Sequence, residues 1–265
     1  AEDGYLFVRG LHRRDDVLAA RAELLERLER AGAIDPGASL MDGMIKPGVP
    51  SSAWWQELNH GAAATKGPRF TALVEGRPVM DFFGRFLGRD PLTFDFKWLR
   101  VVGTGEFTGA HLDNVYMGRG SANLYTTWTP IGDTPMDLGA LAVLTGSHRL
   151  EAFAYLRETY GQMDVDRDHV EGWFTSDPTE LVDRFGGRWA TADFRAGDAL
   201  IFTMFTLHGS LTNVTNRFRI TCDTRYQPAD EPADERWVGE KPKAHYAWRA
   251  DQMVPMVEAR KRWGI

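Results

Sequence analysis

The sequence predicts a mainly β fold with flanking helices, its core an antiparallel barrel or jelly roll, and three observations lead there. Beyond residue 92, apolar and polar residues alternate with a period of 2 in several short runs. Gly, Pro and Asp turns separate those runs instead of regularly spaced helices, which favours antiparallel over parallel sheets. The chain has 265 residues, 43% of them hydrophobic, enough to bury one large core.

In chain order, residues 4–9 read as a short strand. Asp15 reads as the N-cap of a helix running through Arg30, with Val17, Leu18, Leu24, Leu25 and Leu28 on its apolar face and Gly32 as its stop. The Gly/Pro-rich stretch 35–68, which contains Trp54-Trp55, reads as an ordered surface loop with a short helix. A second helix is expected from Pro78 to near Gly88, burying Val79, Phe82, Phe83, Phe86 and Leu87. Phe94, Phe96 and Trp98 then alternate with Asp95, Lys97 and Leu99 in one strand, and 123–129, 140–144, 198–203 and 218–226 supply others. Residues 150–187 interrupt this pattern with helical character, including Pro178–Phe185 behind an Asp177 cap, and read as an insertion over one end of the barrel. No internal repeat divides the chain. The expectation is one domain over 1–265: helical support in 1–91, the β core in 92–230 and a C-terminal extension in 231–265.

A net charge of −6 with no basic run gives no argument for nucleic acid. No apolar run approaches the roughly 20 residues of a membrane-spanning helix, and no signal peptide is visible, so a reducing, cytoplasmic setting is expected. Cys222 is the one cysteine, which rules out an intrachain disulfide and a thiolate cluster; its apolar strand surroundings fit an inert buried thiol.

The chemistry rests on His111-Leu112-Asp113, a distant His208 and Arg219. Two imidazoles and one carboxylate, with half the coordination sphere open, form the facial triad of non-heme iron(II) oxygenases. Seven histidines among 37 acidic residues make about one His-x-acid match expected by chance, and His169-Val170-Glu171 is a second. Strand context separates the two, because an extended segment sends His111 and Asp113 to the same face. His169 sits in the strand-poor insertion. A lone His208 is most simply a hydrogen-bonded core histidine, yet it follows the apolar run 199–202 and adjoins Gly209-Ser210, where a strand end reaches a cavity. Ligand type alone leaves iron, zinc and manganese open. In the strand 218–226 one face carries Arg217, Arg219, Thr221, Asp223 and Arg225, while Phe218, Ile220 and Cys222 share the other. A polar face turned into a barrel fits a buried anion, which a planar guanidinium binds through two hydrogen bonds. Parity leaves Arg217 and Arg219 equivalent.

The spaced blocks then carry a resemblance. Asp3-Gly4-Tyr5-Leu6-Phe7-Val8-Arg9-Gly10, Trp128-Thr129-Pro130-Ile131-Gly132-Asp133, Gly139-Ala140-Leu141-Ala142-Val143-Leu144, Gly146-Ser147-His148-Arg149, Gly197-Asp198-Ala199-Leu200-Ile201-Phe202, His208-Gly209-Ser210, Phe218-Arg219 and Tyr226-Gln227-Pro228-Ala229-Asp230 stand in order over most of the chain. This set resembles the phytanoyl-CoA dioxygenase family of iron(II)/2-oxoglutarate oxygenases. The resemblance implies a double-stranded β-helix (cupin-like jelly roll), with Fe(II) on His111, Asp113 and His208, 2-oxoglutarate as cosubstrate and O2 as oxidant. It also implies Arg219, not Arg217, at the distal carboxylate with Ser210 beside it, Trp128 and Thr126 lining the cosubstrate pocket, and His148 in a structural turn. Leu144-Thr145-Gly146 departs from the family's Pro before Gly, at no catalytic position. The carboxylate of Asp113 favours hydroxylation over halogenation, since related halogenases carry a small residue there.

For the substrate side the candidates are Tyr116, Met117, Arg119, Asn123, Trp173 and Arg225. A small molecule is expected, because no basic patch offers itself to a CoA phosphate; the oligomeric state has no signature. A cupin-like binding protein without turnover and a zinc hydrolase on the same ligands are the competing functions. The complete triad with Arg219 argues against the first, and the second gives no reason for Arg219 and Ser210 beside the metal.

Overall fold

The computed structural model describes residues 2–58, 63–247 and 249–265. Among the described residues the chain runs β1 (Tyr5–Val8), α1 (Arg14–Arg30), α2 (Ser52–Leu58), α3 (Pro68–Glu75), α4 (Arg77–Leu87), β2 (Pro91–Thr93), β3 (Trp98–Val102), α5 (Asn114–Met117), β4 (Tyr125–Pro130) and β5 (Leu141–Leu144). It continues through α6 (Ala154–Glu158), α7 (Val165–Asp168), α8 (Pro178–Phe185), β6 (Trp189–Ala190), β7 (Ala199–Thr203), β8 (His208–Ser210), β9 (Arg219–Pro228) and α9 (Met256–Trp263), with short 3-10 turns between.

The larger sheet has the order β1-β7-β4-β9-β2, with β3 also on β9. The smaller has the order β6-β5-β8. All pairings between these strands are antiparallel. Trp128, Leu200 and Phe202 from the larger sheet meet Leu141 and Val143 from the smaller in one buried cluster, so the two inner faces close on each other as a jelly roll.

Strand β9 sets what faces the interior. Arg219, Thr221, Asp223 and Arg225 alternate with Ile220 and Cys222, which pack outward with Leu99, Val101 and Phe218 against α1 and α3. Helix α1 supplies Val17, Ala20, Leu24, Leu25 and Leu28 to that layer, all fully buried. It starts one residue ahead of the expected cap: Arg13 takes the N-cap position without a side-chain bond, and Asp15 and Asp16 lie in the first turn, where their charge suits the helix dipole. Helix α4 buries Val79 and Phe83, the latter stacked on Tyr226 with centroids 4.0 Å apart. Phe82 and Leu87 are only half-buried and Phe86 is exposed, because a three-turn helix on an outer surface covers a narrower stripe than its apolar residues suggest.

Several boundaries differ from the sequence pattern. Residues 94–97 are not strand: the chain leaves β9 after Thr93 and rejoins it at Trp98, and the buried Lys97 reaches back to Thr93, the Phe94 carbonyl and Glu75. Asn123 precedes β4, and β1 belongs to the main sheet, so residues 1–91 are more than helical support. The stretch 35–68 holds α2, and Trp54 is core, edge-on to Phe218 at 4.9 Å. The Trp55 side chain and residues 59–62 lie outside the described residues. Insertion 150–187 and α9 share a cluster including Leu112, Phe153, Tyr160, Phe174, Leu181 and Met256, which covers the end of the roll where residues 110–113 run. Among the described residues no helix is long and apolar enough to cross a membrane.

Candidate active site

His208 opens β8 and pairs with His111 across an isolated antiparallel bridge, with N–H to carbonyl distances of 2.9 and 3.1 Å. The bridge sets the two imidazoles side by side, centroids 4.2 Å apart. Nδ1 of His111 faces the Gly109 carbonyl at 2.8 Å, and Nδ1 of His208 faces the Thr206 carbonyl at 2.9 Å. A carbonyl only accepts, so each Nδ1 carries the proton and each Nε2 keeps its lone pair. Both Nε2 atoms stand 3.8 Å from Asp113 Oδ1. Asp113, just ahead of α5, has its other oxygen occupied: Oδ2 accepts from the Thr126 hydroxyl and, at 3.0 Å, from Arg225 Nη2. The three residues are buried and offer donor atoms all within 4.8 Å of one another.

Burial alone would raise the Asp113 carboxyl, but Arg225, the two histidines and Thr126 outweigh it and hold it below the ordinary carboxylate range. Burial, followed by the neighbouring His208, lowers His111 to about 3, and Asp113 only partly offsets this. His208 is lowered for the same first reason. At neutral pH the site is therefore two neutral imidazoles and one carboxylate, the protonation state that binds a divalent cation.

A narrow cleft leads from the histidines to Arg219, lined by Arg100, Thr108, Trp128, Leu141, Ser210 and Asp223. Arg219 is 1% exposed; Nη1 donates to the Gly139 carbonyl at 2.5 Å, and the buried Nε has no partner among the described residues. Burial and the neighbouring Arg100 lower it to about 10, so it is cationic at neutral pH. Gly139 has φ +89° and a Cβ there would lie 3.3 Å from that Nη1, so glycine lets the backbone turn close over the guanidinium. The Ser210 hydroxyl accepts from the Thr108 N–H at 2.8 Å, which leaves its own proton to donate into the cleft.

On the other side of the triad lies a cavity of about 540 Å³, lined by Phe96, Trp98, Arg100, Tyr116, Met117, Trp173, Arg225, Trp237, Ala244 and His245 beside His111 and Asp113. Its size is that of a small-molecule site.

Of the residues expected at the cosubstrate, Arg219, Ser210 and Trp128 line the cleft. Thr126 is displaced from that role: it is fully buried and its hydroxyl binds the Asp113 carboxylate. Of the six substrate-side candidates, Tyr116, Met117, Trp173 and Arg225 line the cavity. Arg119 and Asn123 do not. Arg119 forms a two-point ion pair with Asp164 (2.6 and 2.9 Å), and the exposed Asn123 donates to Glu231. Arg217 precedes β9, outside the inner face that Arg219 begins. His169 and Glu171 are both exposed; the His169 carbonyl and the Glu171 carboxylate receive N–H groups from Val254 and Met256. His148 packs against Gly4, and the buried Cys222 thiol is pushed up by burial, as expected for an inert group.

Sequence reasoning missed Arg100, which shares a face of β3 with Trp98 in alternation with the outward Leu99 and Val101, a usable signal once β3 was placed correctly. It also missed Trp237 and His245, from a segment without strand or helix periodicity.

The family model for phytanoyl-CoA dioxygenase matches residues 1–221. The 1-deoxypentalenic acid 11-beta-hydroxylase of Streptomyces exfoliatus is 27% identical over 252 residues, covering 86% of this chain and 78% of the relative. Among solved structures, EctD from S. alaskensis in its apoform superposes with a TM-score of 0.60 at 19% identity, covering 96% of this chain and 84% of its own. The epimerase SnoN in complex with Fe3+, alpha ketoglutarate and nogalamycin RO gives 0.58 at 19% identity, covering 96% and 94%. The last two share the fold. With the family match extending over most of its length, the chain belongs to the phytanoyl-CoA dioxygenase family of iron(II)- and 2-oxoglutarate-dependent oxygenases.

Proposed function

We propose that this oxygenase hydroxylates a small molecule, with iron(II) on His111, Asp113 and His208 and the distal carboxylate of 2-oxoglutarate on Arg219 and Ser210. The observation that carries the reading is the alignment of two complementary donor sets along one cleft. At one end two Nε2 lone pairs and Asp113 Oδ1 converge. At the other, a buried guanidinium has a nitrogen without a partner. The first set fits a divalent cation of nitrogen/oxygen preference, and the second fits a carboxylate.

Iron, O2 and 2-oxoglutarate together supply the oxidising power, with succinate and CO2 released. The protein's residues do the remaining work. Gly109 and Thr206 hold both imidazoles in the tautomer that presents Nε2. Thr126 and Arg225 occupy Asp113 Oδ2 and so present Oδ1. Trp128 walls the cleft, while Trp98, Trp173 and Trp237 give the substrate cavity apolar walls. A carboxylate at position 113 leaves no ligand site for halide, which supports hydroxylation, as does the hydroxylase name of the relative from Streptomyces exfoliatus. A cytoplasmic setting agrees with this reading.

Calorimetric titration of 2-oxoglutarate under nitrogen tests it. Binding is expected with Mn(II) or Fe(II) present, and loss of most affinity without the metal or in Arg219→Ala. Binding that is equally tight without metal contradicts the proposal.

A further inference from the structure

We infer that the substrate is a carboxylic acid on a compact apolar body, and that Arg100 binds its carboxylate. The inference rests on the oxygenase reading above and adds the substrate class to it.

Arg100 lies on β3 where the cleft and the cavity meet, and lines both. Its Nε donates to Asp223 Oδ2 at 2.7 Å. Among the described residues no hydrogen bond reaches either Nη group, although the side chain is only 25% exposed. A guanidinium held inside a fold with two of its three nitrogens idle is an anion site in waiting.

The charges around the metal site agree. Three guanidinium groups, of Arg100, Arg219 and Arg225, face two carboxylates, of Asp113 and Asp223. A divalent cation and dianionic 2-oxoglutarate cancel each other when both are bound. Among the groups that line the cleft and the cavity one positive charge is then left over, and a monoanionic substrate neutralises it. Arg225 adds to the positive potential at this end: it stacks over Trp98 at 4.2 Å, and its buried Nη1 has no partner among the described residues. Of the other titratable groups on the cavity wall, Tyr116 is pushed up by burial and stays neutral, and His245 is held by Asp166 at 2.9 Å in a separate ion cluster.

The remaining wall specifies the body of the ligand. Phe96, Trp98, Trp173 and Trp237 offer flat apolar surfaces around about 540 Å³, and among the described residues no lysine lines the cavity. That is room for a compact ring system and its carboxylate, and aromatic faces pack well on rigid hydrocarbon.

The test uses full-length protein loaded anaerobically with Fe(II) and 2-oxoglutarate, followed through the charge-transfer absorption of that complex. The probes are 1-naphthylacetic, adamantane-1-carboxylic and abietic acids, each against its methyl ester. The account expects at least one acid to perturb the band at a concentration about tenfold or more below its ester. At saturating 2-oxoglutarate, so that the cleft Arg100 shares with the cosubstrate does not enter the comparison, Arg100→Leu and Arg100→Gln should erase that preference and Arg100→Lys should keep part of it. Acids that bind no better than their esters overturn the inference while leaving the oxygenase reading intact. So does an Arg100→Leu enzyme that loses 2-oxoglutarate affinity but keeps the acid preference, since Arg100 would then serve the cosubstrate. Absence of the band in the wild type removes the oxygenase reading and the inference with it.

Discussion

Arg225 Nη2 donates to Asp113 Oδ2 at 3.0 Å, while Asp113 Oδ1 stands 3.8 Å from the Nε2 atoms of both His111 and His208. The two oxygens of one carboxylate thus have separate duties, one anchored to the protein and one turned to the imidazoles. Because Arg225 is itself buried, the pair is not screened by solvent, and it fixes the carboxylate strongly.

Removing that anchor should loosen the metal without abolishing its ligands. Arg225→Gln and Thr126→Val are each expected to raise the Mn(II) dissociation constant by about 10- to 100-fold, read by calorimetry. Unchanged affinity in both variants would remove the positioning role from these residues.

Arg219 is expected to act through its planar fork, not through charge alone. Arg219→Lys should therefore behave nearly as poorly as Arg219→Ala, with the 2-oxoglutarate KM raised by roughly 10- to 100-fold in succinate-release kinetics. Full rescue by lysine would show that a point charge suffices there.

His12 gives the fold an acid-sensitive point away from the site. Burial lowers it to about 4, with Asp16 opposing, and its Nε2 has no partner among the described residues. Above pH 6.5 it is neutral in both folded and unfolded chains and contributes no pH dependence. Between 6.5 and about 4 the unfolded chain takes up a proton that the folded chain refuses, so stability falls as pH falls. His12 alone should remove about 2 kcal/mol between pH 7 and pH 5. Urea unfolding of His12→Asn at the two pH values should show a shallower loss than wild type; an identical slope would reject the assignment.

Arg236 is fully buried between Asp166 and Asp234, at 2.5 Å from each, and ties the segment carrying Trp237 to α7. Arg236→Met leaves two buried carboxylates without their cation and should cost about 3–5 kcal/mol in chemical denaturation. A loss below about 1 kcal/mol would mean that this cluster is not what holds the C-terminal segment in place.

Much of this was legible in the sequence because strands with one buried face must alternate. The inner and outer faces of β9 follow from parity alone, as does the shared face of His111 and Asp113. Parity gives the face and not the depth, which is why Thr126 was expected at the cosubstrate and is found on the Asp113 carboxylate. Aromatic alternation across Phe94, Phe96 and Trp98 imitated a strand where the chain detours around a buried Lys97. Helix α3 was hidden because it follows the Gly/Pro-rich stretch, although Phe70, Leu73 and Val74 have helical spacing. Trp237 and His245 reach the cavity through a coil segment, and a coil has no period to read.

The most direct test of the central claim is succinate formation from 2-oxoglutarate by anaerobically purified protein reloaded with Fe(II), with and without O2, in wild type and Asp113→Ala. The account predicts slow, uncoupled succinate release that requires both Fe(II) and O2 and is lost in Asp113→Ala. Succinate formed at the wild-type rate by Asp113→Ala, or none formed by wild type confirmed to hold iron, would contradict it.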